Sequence, residues 1–206
     1  MDNKKTKRNQ EIFKFVYASA LIAIIVILTA TVGYIPFFGG IKITILHIPV
    51  ILGAIVLGKR YGLLLGFVFG AGAMIRSFIE VVPENVPFTN PLLSVLPRML
   101  FGYVAALLYD AFRKIFKREA VSVTLAAITA TMFHTLIVVP ILFVVAKTGF
   151  HFFASEHTFI IEKGFLAYML FIVVNNMLLE IAAAAVIGAP IVLAIKKAMT
   201  QQPAEA

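Results

Sequence analysis

Two opposite charges, Arg98 and Glu180, stand inside long apolar runs. A charge submerged in a membrane needs a counter-ion, water or a ligand. The two can pair with each other, as a structural ion pair or as a proton relay. Alternatively Arg98, whose planar fork suits carboxylates and phosphates, holds an anionic guest. Asn175 and Asn176 share a run with Glu180, and Asn176 and Glu180 are spaced to share a helix face. Amides in such a place bridge helices or bind ligand. Asn90 precedes Pro91, so its default role is to cap a helix that starts at that proline. At the mouth of a bundle it could also meet a substrate. His47 opens one apolar run and His134 lies inside another. Neither has a second histidine three or four residues away, and HExxH is absent, so nothing implies a metal or a cofactor. A histidine satisfied by its neighbours is the default for both.

The elements that carry these residues follow from composition. Of the 206 residues, 61% are hydrophobic and only 14% charged, the latter gathered in short clusters. Mean hydropathy is +0.99. So few charges cannot cover a water-soluble surface. A spanning helix needs about 20 apolar residues. The apolar runs predict an all-α membrane protein, a single domain over 1–206 with six helices. Their expected spans are 12–34, 45–57, 61–78, 91–112, 121–146 and 165–195, the second being short. Lys4, Lys5, Lys7 and Arg8 precede the first run as in a signal peptide. That run is too long for an ordinary signal core, which predicts an uncleaved first span.

The basic residues orient the spans. With the N-terminus inside, the inner segments hold Lys4, Lys5, Lys7, Arg8, Lys14, Lys59, Arg60, Arg113, Lys114, Lys117, Arg118, Lys196 and Lys197. The outer segments hold Lys42, Arg76, Lys147 and Lys163. This asymmetry predicts an even number of crossings with both termini cytoplasmic. The net charge of +8 therefore reads as topology and anionic-lipid contact, not as nucleic-acid binding. The outer loops, 35–44, 79–90 and 147–164, are longer and richer in helix breakers than the inner ones. A functional site opening outward is expected from them. Phe37, Phe38, Phe88, Phe152 and Phe153 in these loops are interfacial anchors by default, or close over a ligand.

Gly58, Gly62, Gly66 and Gly70 recur at every fourth residue and mark one face of the third helix. Their default meaning is close packing inside the bundle; a docking face for a partner is the alternative. Ser19, Ala20 and Ala23 give the first helix a similar small-residue face. No G-x-x-x-x-G-K-[ST] is present, so ATP is not bound by a P-loop. There is no cysteine and no G-x-S-x-G. Ser94 and His134 alone do not make a hydrolase.

Three stretches read together as a resemblance. They are His47-Ile48-Pro49-Val50-Ile51-Leu52-Gly53-Ala54, Leu57-Gly58-Lys59-Arg60-Tyr61-Gly62 continuing to Gly66 and Gly70, and Asn90-Pro91-Leu92-Leu93-Ser94-Val95-Leu96-Pro97-Arg98 with Phe101-Gly102. The chain resembles, from its first helix to its sixth, the substrate-binding S component of energy-coupling factor (ECF) vitamin transporters. The resemblance implies a six-helix bundle in a prokaryotic plasma membrane that binds one vitamin from outside. It implies a transmembrane coupling subunit and two ATP-binding cassette subunits as partners. ATP is hydrolysed there and not in this chain, in keeping with the missing P-loop. The family's Ala-x-x-x-Ala docking motif on the first helix has its nearest match in Ser19-x-x-x-Ala23, which departs by one hydroxyl.

The pattern is most similar to the pantothenate-specific type. A pantothenate carboxylate suits Arg98, and its hydroxyls and amide suit Asn90, Asn175 and Asn176; His134 and Glu180 are counted with them as substrate-binding residues. Folate, cobalamin and riboflavin fit the same fold. A stand-alone ion-coupled transporter using Arg98 and Glu180 as a relay is the reading from another class.

Overall fold

A computed structural model describes residues 2–31, 33–36, 42–81, 85–148, 166–167, 170 and 173–201. Helix α1 runs over Asp2–Ala30, α2 over His47–Leu57 and α3 over Lys59–Ile79. A four-residue α4, Pro91–Ser94, precedes α5, Leu96–Phe116, and α6 covers Glu119–Thr148. The C-terminal helical stretch begins with a π turn at Val173–Met177 and continues as α7, Leu178–Ala183. A second π turn at Ala184–Gly188 leads into α8, Ala189–Gln201. Among the described residues, five segments are long and apolar enough to cross a membrane: Arg8–Ala30, Lys59–Ile79, Pro91–Phe116, Glu119–Val145 and Leu178–Met199. The apolar α2 is shorter. Between α1 and α2, strands β1 (Tyr34–Pro36) and β2 (Lys42–Thr44) pair antiparallel with Ile35 opposite Ile43.

Where the chain reverses, local chemistry explains it. Gly58 separates α2 from α3 at φ 95°, a conformation open to a residue without a Cβ. Lys117 ends α5 in a left-handed conformation, its N–H donating to the Arg113 carbonyl. The break between α4 and α5 falls just before Pro97, whose ring cannot continue a preceding helix.

The bundle core is built from Leu21 and Ile25 of α1, Val50 and Ile51 of α2, and Leu65 and Phe69 of α3. Phe101 and Ala105 of α5 and Ala126 and Ala130 of α6 complete it with Ala184 and Val192. Large apolar side chains such as Phe15, Ile27, Ile79, Ile115 and Val186 point outward, as expected when the surrounding solvent is lipid.

The glycine face of α3 turns inward. A Cβ on Gly62 would collide with the Gly102 carbonyl oxygen, and one on Gly66 with the Arg98 carbonyl. One on Gly70 would sit 2.6 Å from the Val95 Cα. The stripe thus presses α3 against antiparallel α5, which is the default reading of its spacing and not the docking one.

The far ends of α5, α6 and α8 are tied by polar contacts. Glu119 accepts a hydrogen bond from the Tyr109 hydroxyl at 2.7 Å and pairs with Lys196 at 2.6 Å. Its other oxygen pairs with Arg113 at 3.1 Å. These groups are partly exposed, so the network registers helix ends more than it stabilises them.

Candidate functional site

The close α3–α5 contact fixes where Arg98 stands. The residue lies in the first turn of α5 and is only 6% exposed. Its Nη1 reaches back to donate to the Ser94 carbonyl at 2.7 Å and, at 3.5 Å, to that of Leu93. The break at Val95 is what leaves such carbonyls available. Ser94 itself donates from Oγ to the Gly70 carbonyl at 3.1 Å, tying α4 to α3. The Phe69 and Phe88 ring centroids lie 4.8 and 5.3 Å from the guanidinium carbon. Rings at that distance attract the cation and hold its plane. The Arg98 Nε–H is buried with no partner.

Glu180, 3% exposed, does not form an ion pair with Arg98 within 4.0 Å; among the described residues its carboxylate accepts the Thr44 N–H at 3.3 Å. The charges lie within electrostatic reach of each other without contact. The direct pair considered from sequence is therefore absent. Thr44 ends β2, so this strand lies against α7.

His47 and His134 differ from their default expectation. His47 opens α2 at 2% exposure, lying against the backbone of Thr44 and Glu180, and neither ring nitrogen makes a hydrogen bond. His134 packs against Phe101 at 5.2 Å and Phe69 at 6.4 Å between centroids, and its Nε2 is unpartnered. The Tyr34 hydroxyl and the Asn176 Oδ1 are also buried without partners. Burial pushes the Tyr34 phenol above its ordinary pKa, the Arg98 and Arg76 charges opposing. It is a neutral donor and acceptor near neutral pH. Unpartnered buried polar atoms are rare in folded chains and ask for an explanation. Here they come from β1, α2, α5, α6 and the first π turn, a turn type that recurs at functional sites. Among the described residues no three His, Asp or Glu side chains gather as metal ligands.

A family model described as "ECF transporter, substrate-specific component" matches residues 13–192. The chain belongs to that family. It is also 27% identical to the Pantothenic acid transporter PanT of Lactococcus lactis subsp. cremoris (strain MG1363), across 95% of this chain and 97% of that protein. An ECF substrate-specific component is a transport protein, and the five apolar helices make this one multi-pass in the membrane.

The remaining expected residues fall in two places. Asn90 is buried, and its Oδ1 accepts the Leu92 N–H at 2.8 Å, capping α4. The Asn175 side chain lies outside the described residues, as do Phe37, Phe38, Phe152 and Phe153. Ser19, Ala20 and Ala23 are exposed on α1, while Ala18, Leu21 and Ile25 face the core. The Ser19 hydroxyl donates to the Phe15 carbonyl at 2.9 Å, so it leaves a small, self-satisfied surface. Sequence reasoning missed Tyr34 and the Phe69 ring beside Arg98, and it read His47 as a satisfied histidine. Only the Arg98 run offered a signal, since a buried cation attracts aromatic rings.

Proposed function

We propose that this chain is the membrane-embedded pantothenate-binding S component of an ECF-type importer. The observation that carries this reading is the set of buried, unpartnered polar atoms on Tyr34, His47, Arg98, His134 and Asn176, drawn from five elements of an otherwise apolar bundle. Similarity to PanT along nearly the whole chain supports the choice of ligand. The pantothenate carboxylate is held by Arg98, and its amide and hydroxyls by His134, Asn175, Asn176 and Glu180, with Asn90 at the entrance. The whole chain, 1–206, forms a single domain of six crossings with both termini cytoplasmic, in a bacterial plasma membrane. A transmembrane coupling subunit docks on Ser19, Ala20 and Ala23, and two ATP-binding cassette subunits supply the energy. The chain is itself no enzyme.

The outward small face of α1 gives the test. Ser19→Leu with Ala23→Leu leaves ligand affinity within about twofold, because these residues touch neither the core nor the polar cluster. ATP-dependent uptake by vesicles holding all subunits falls at least about tenfold, the scale of one disrupted packed contact. Uptake by the chain alone, driven by a proton or sodium gradient, would contradict the proposal and favour the ion-coupled reading.

A further inference from the structure

His47 has no assigned role, yet it is the most conspicuous polar group in the cluster. Its imidazole is 2% exposed, carried at the start of α2, and both nitrogens lack hydrogen-bond partners. A neutral imidazole presents one N–H donor and one acceptor nitrogen. A fully buried ring therefore needs a partner that both accepts and donates. The nearby carbonyls of Thr44 and Glu180 can only accept, so the ring's acceptor nitrogen is left without a donor.

The other unpartnered atoms narrow the partner's chemistry. Arg98 Nε–H is a donor and wants an acceptor, best an anion. Asn176 Oδ1 is an acceptor and wants a donor. An anion without a hydrogen-bond donor answers Arg98 and leaves Asn176 unpaired. A cation does the reverse. A carboxylate that also carries hydroxyl groups answers all three. His134 lies within electrostatic reach of both Arg98 and His47, so one polar region connects them.

We infer that His47 reads a hydroxyl group of the bound carboxylate and is the residue that sets the site's demand for hydroxylated ligands. The inference rests on the proposed pantothenate-binding reading and adds to it a specificity determinant. A hydroxyl is the group that donates and accepts at once, which is what the two ring nitrogens require. Pantothenate carries such hydroxyls away from its carboxylate. A site built to hydrogen-bond a ligand hydroxyl rejects the analogue without it, because its own polar groups are then left bare. The position of His47 suits the task. The turn before α2 is fixed by the Thr44 hydroxyl, which accepts the Leu46 N–H at 3.2 Å and donates to the Gly33 carbonyl at 3.3 Å. The ring is therefore held by backbone and not by partners of its own.

The test is calorimetric titration of the purified full chain with pantothenate and with its analogue in which both hydroxyls are replaced by hydrogen. The wild type is expected to prefer pantothenate by at least about 100-fold. His47→Phe keeps a flat ring and removes both nitrogens. It should weaken pantothenate at least about tenfold and leave the deoxy analogue within about threefold, so that discrimination collapses. Retained binding of the analogue also shows that the variant is folded. His47→Gln, which restores a donor and an acceptor, should recover part of the preference. Discrimination that survives His47→Phe, or an equal loss for both ligands in His47→Phe and His47→Gln, would overturn the inference and leave the ring a structural or water-bound group. Failure of the wild type to bind pantothenate at all would overturn the proposed function together with it. Binding by the wild type with unaltered discrimination in the variants overturns the His47 inference alone.

Discussion

Arg98→Ala is expected to weaken pantothenate binding by about 10- to 150-fold. A hydrogen bond to a charged group contributes about 1.5–3 kcal/mol, and each 1.4 kcal/mol is a factor of ten in affinity. The Nε–H has no partner in the protein, so a ligand carboxylate meets it without displacing an internal bond. Two features separate lost recognition from lost structure. The Nη1 bonds to Ser94 and Leu93 go to backbone carbonyls of a break already fixed by Pro97 and Asn90. Arg98→Lys keeps the charge but loses the fork and its stacking on Phe69 and Phe88, and should fall between wild type and alanine. Titration of the folded variants checks both. Unchanged affinity in Arg98→Ala would remove the guanidinium from the site.

A large expected effect on stability comes from Gly66. Alanine stabilises an ordinary helix over glycine by up to about 1 kcal/mol. At Gly66 the sign should reverse, because the new Cβ meets the Arg98 carbonyl oxygen and, at 2.8 Å, its carbon. Backbone cannot swing aside as a flexible side chain does. Overpacking of this kind costs about 1–3 kcal/mol. Gly66→Ala should therefore lower the thermal midpoint in detergent by several degrees. It should also weaken ligand binding, since relief of the clash moves the segment that carries Arg98. A midpoint equal to or above wild type would mean that α3 and α5 do not meet as described.

Much of this was legible in the amino-acid order because membranes impose simple rules. Apolar runs of about 20 residues specify helices, and those around Ala18, Gly66, Phe101 and Ala126 do form them. Arg98 and Glu180 stood out because charge is rare in such runs. Asn90 before Pro91 reads as a cap, and its Oδ1 does cap α4. The short α4 and the break at Val95 were less visible, although Pro97 supplied the signal. The glycine spacing specified a face of α3 but not its neighbour. Only the antiparallel approach of Gly102 and Arg98 shows that the face is internal.

What could not be read was which distant residues meet. Glu180 takes its hydrogen bond from Thr44, 136 residues earlier, instead of pairing with Arg98. That long-range choice also brings His47 beside α7. A lone histidine at a helix start carries no pattern, so its unpartnered nitrogens emerge only from packing. Tyr34 is in the same position, placed by a three-residue strand too short to announce itself.

The most direct measurement is equilibrium titration of the purified chain, without partner subunits, against pantothenate, folate, cobalamin and riboflavin. The account requires saturable one-to-one binding of pantothenate, with the other three at least about 100-fold weaker. Their shapes and hydrogen-bonding groups differ from those that Arg98, Asn176 and His47 present. No binding of pantothenate, or a preference for one of the others, would contradict the account.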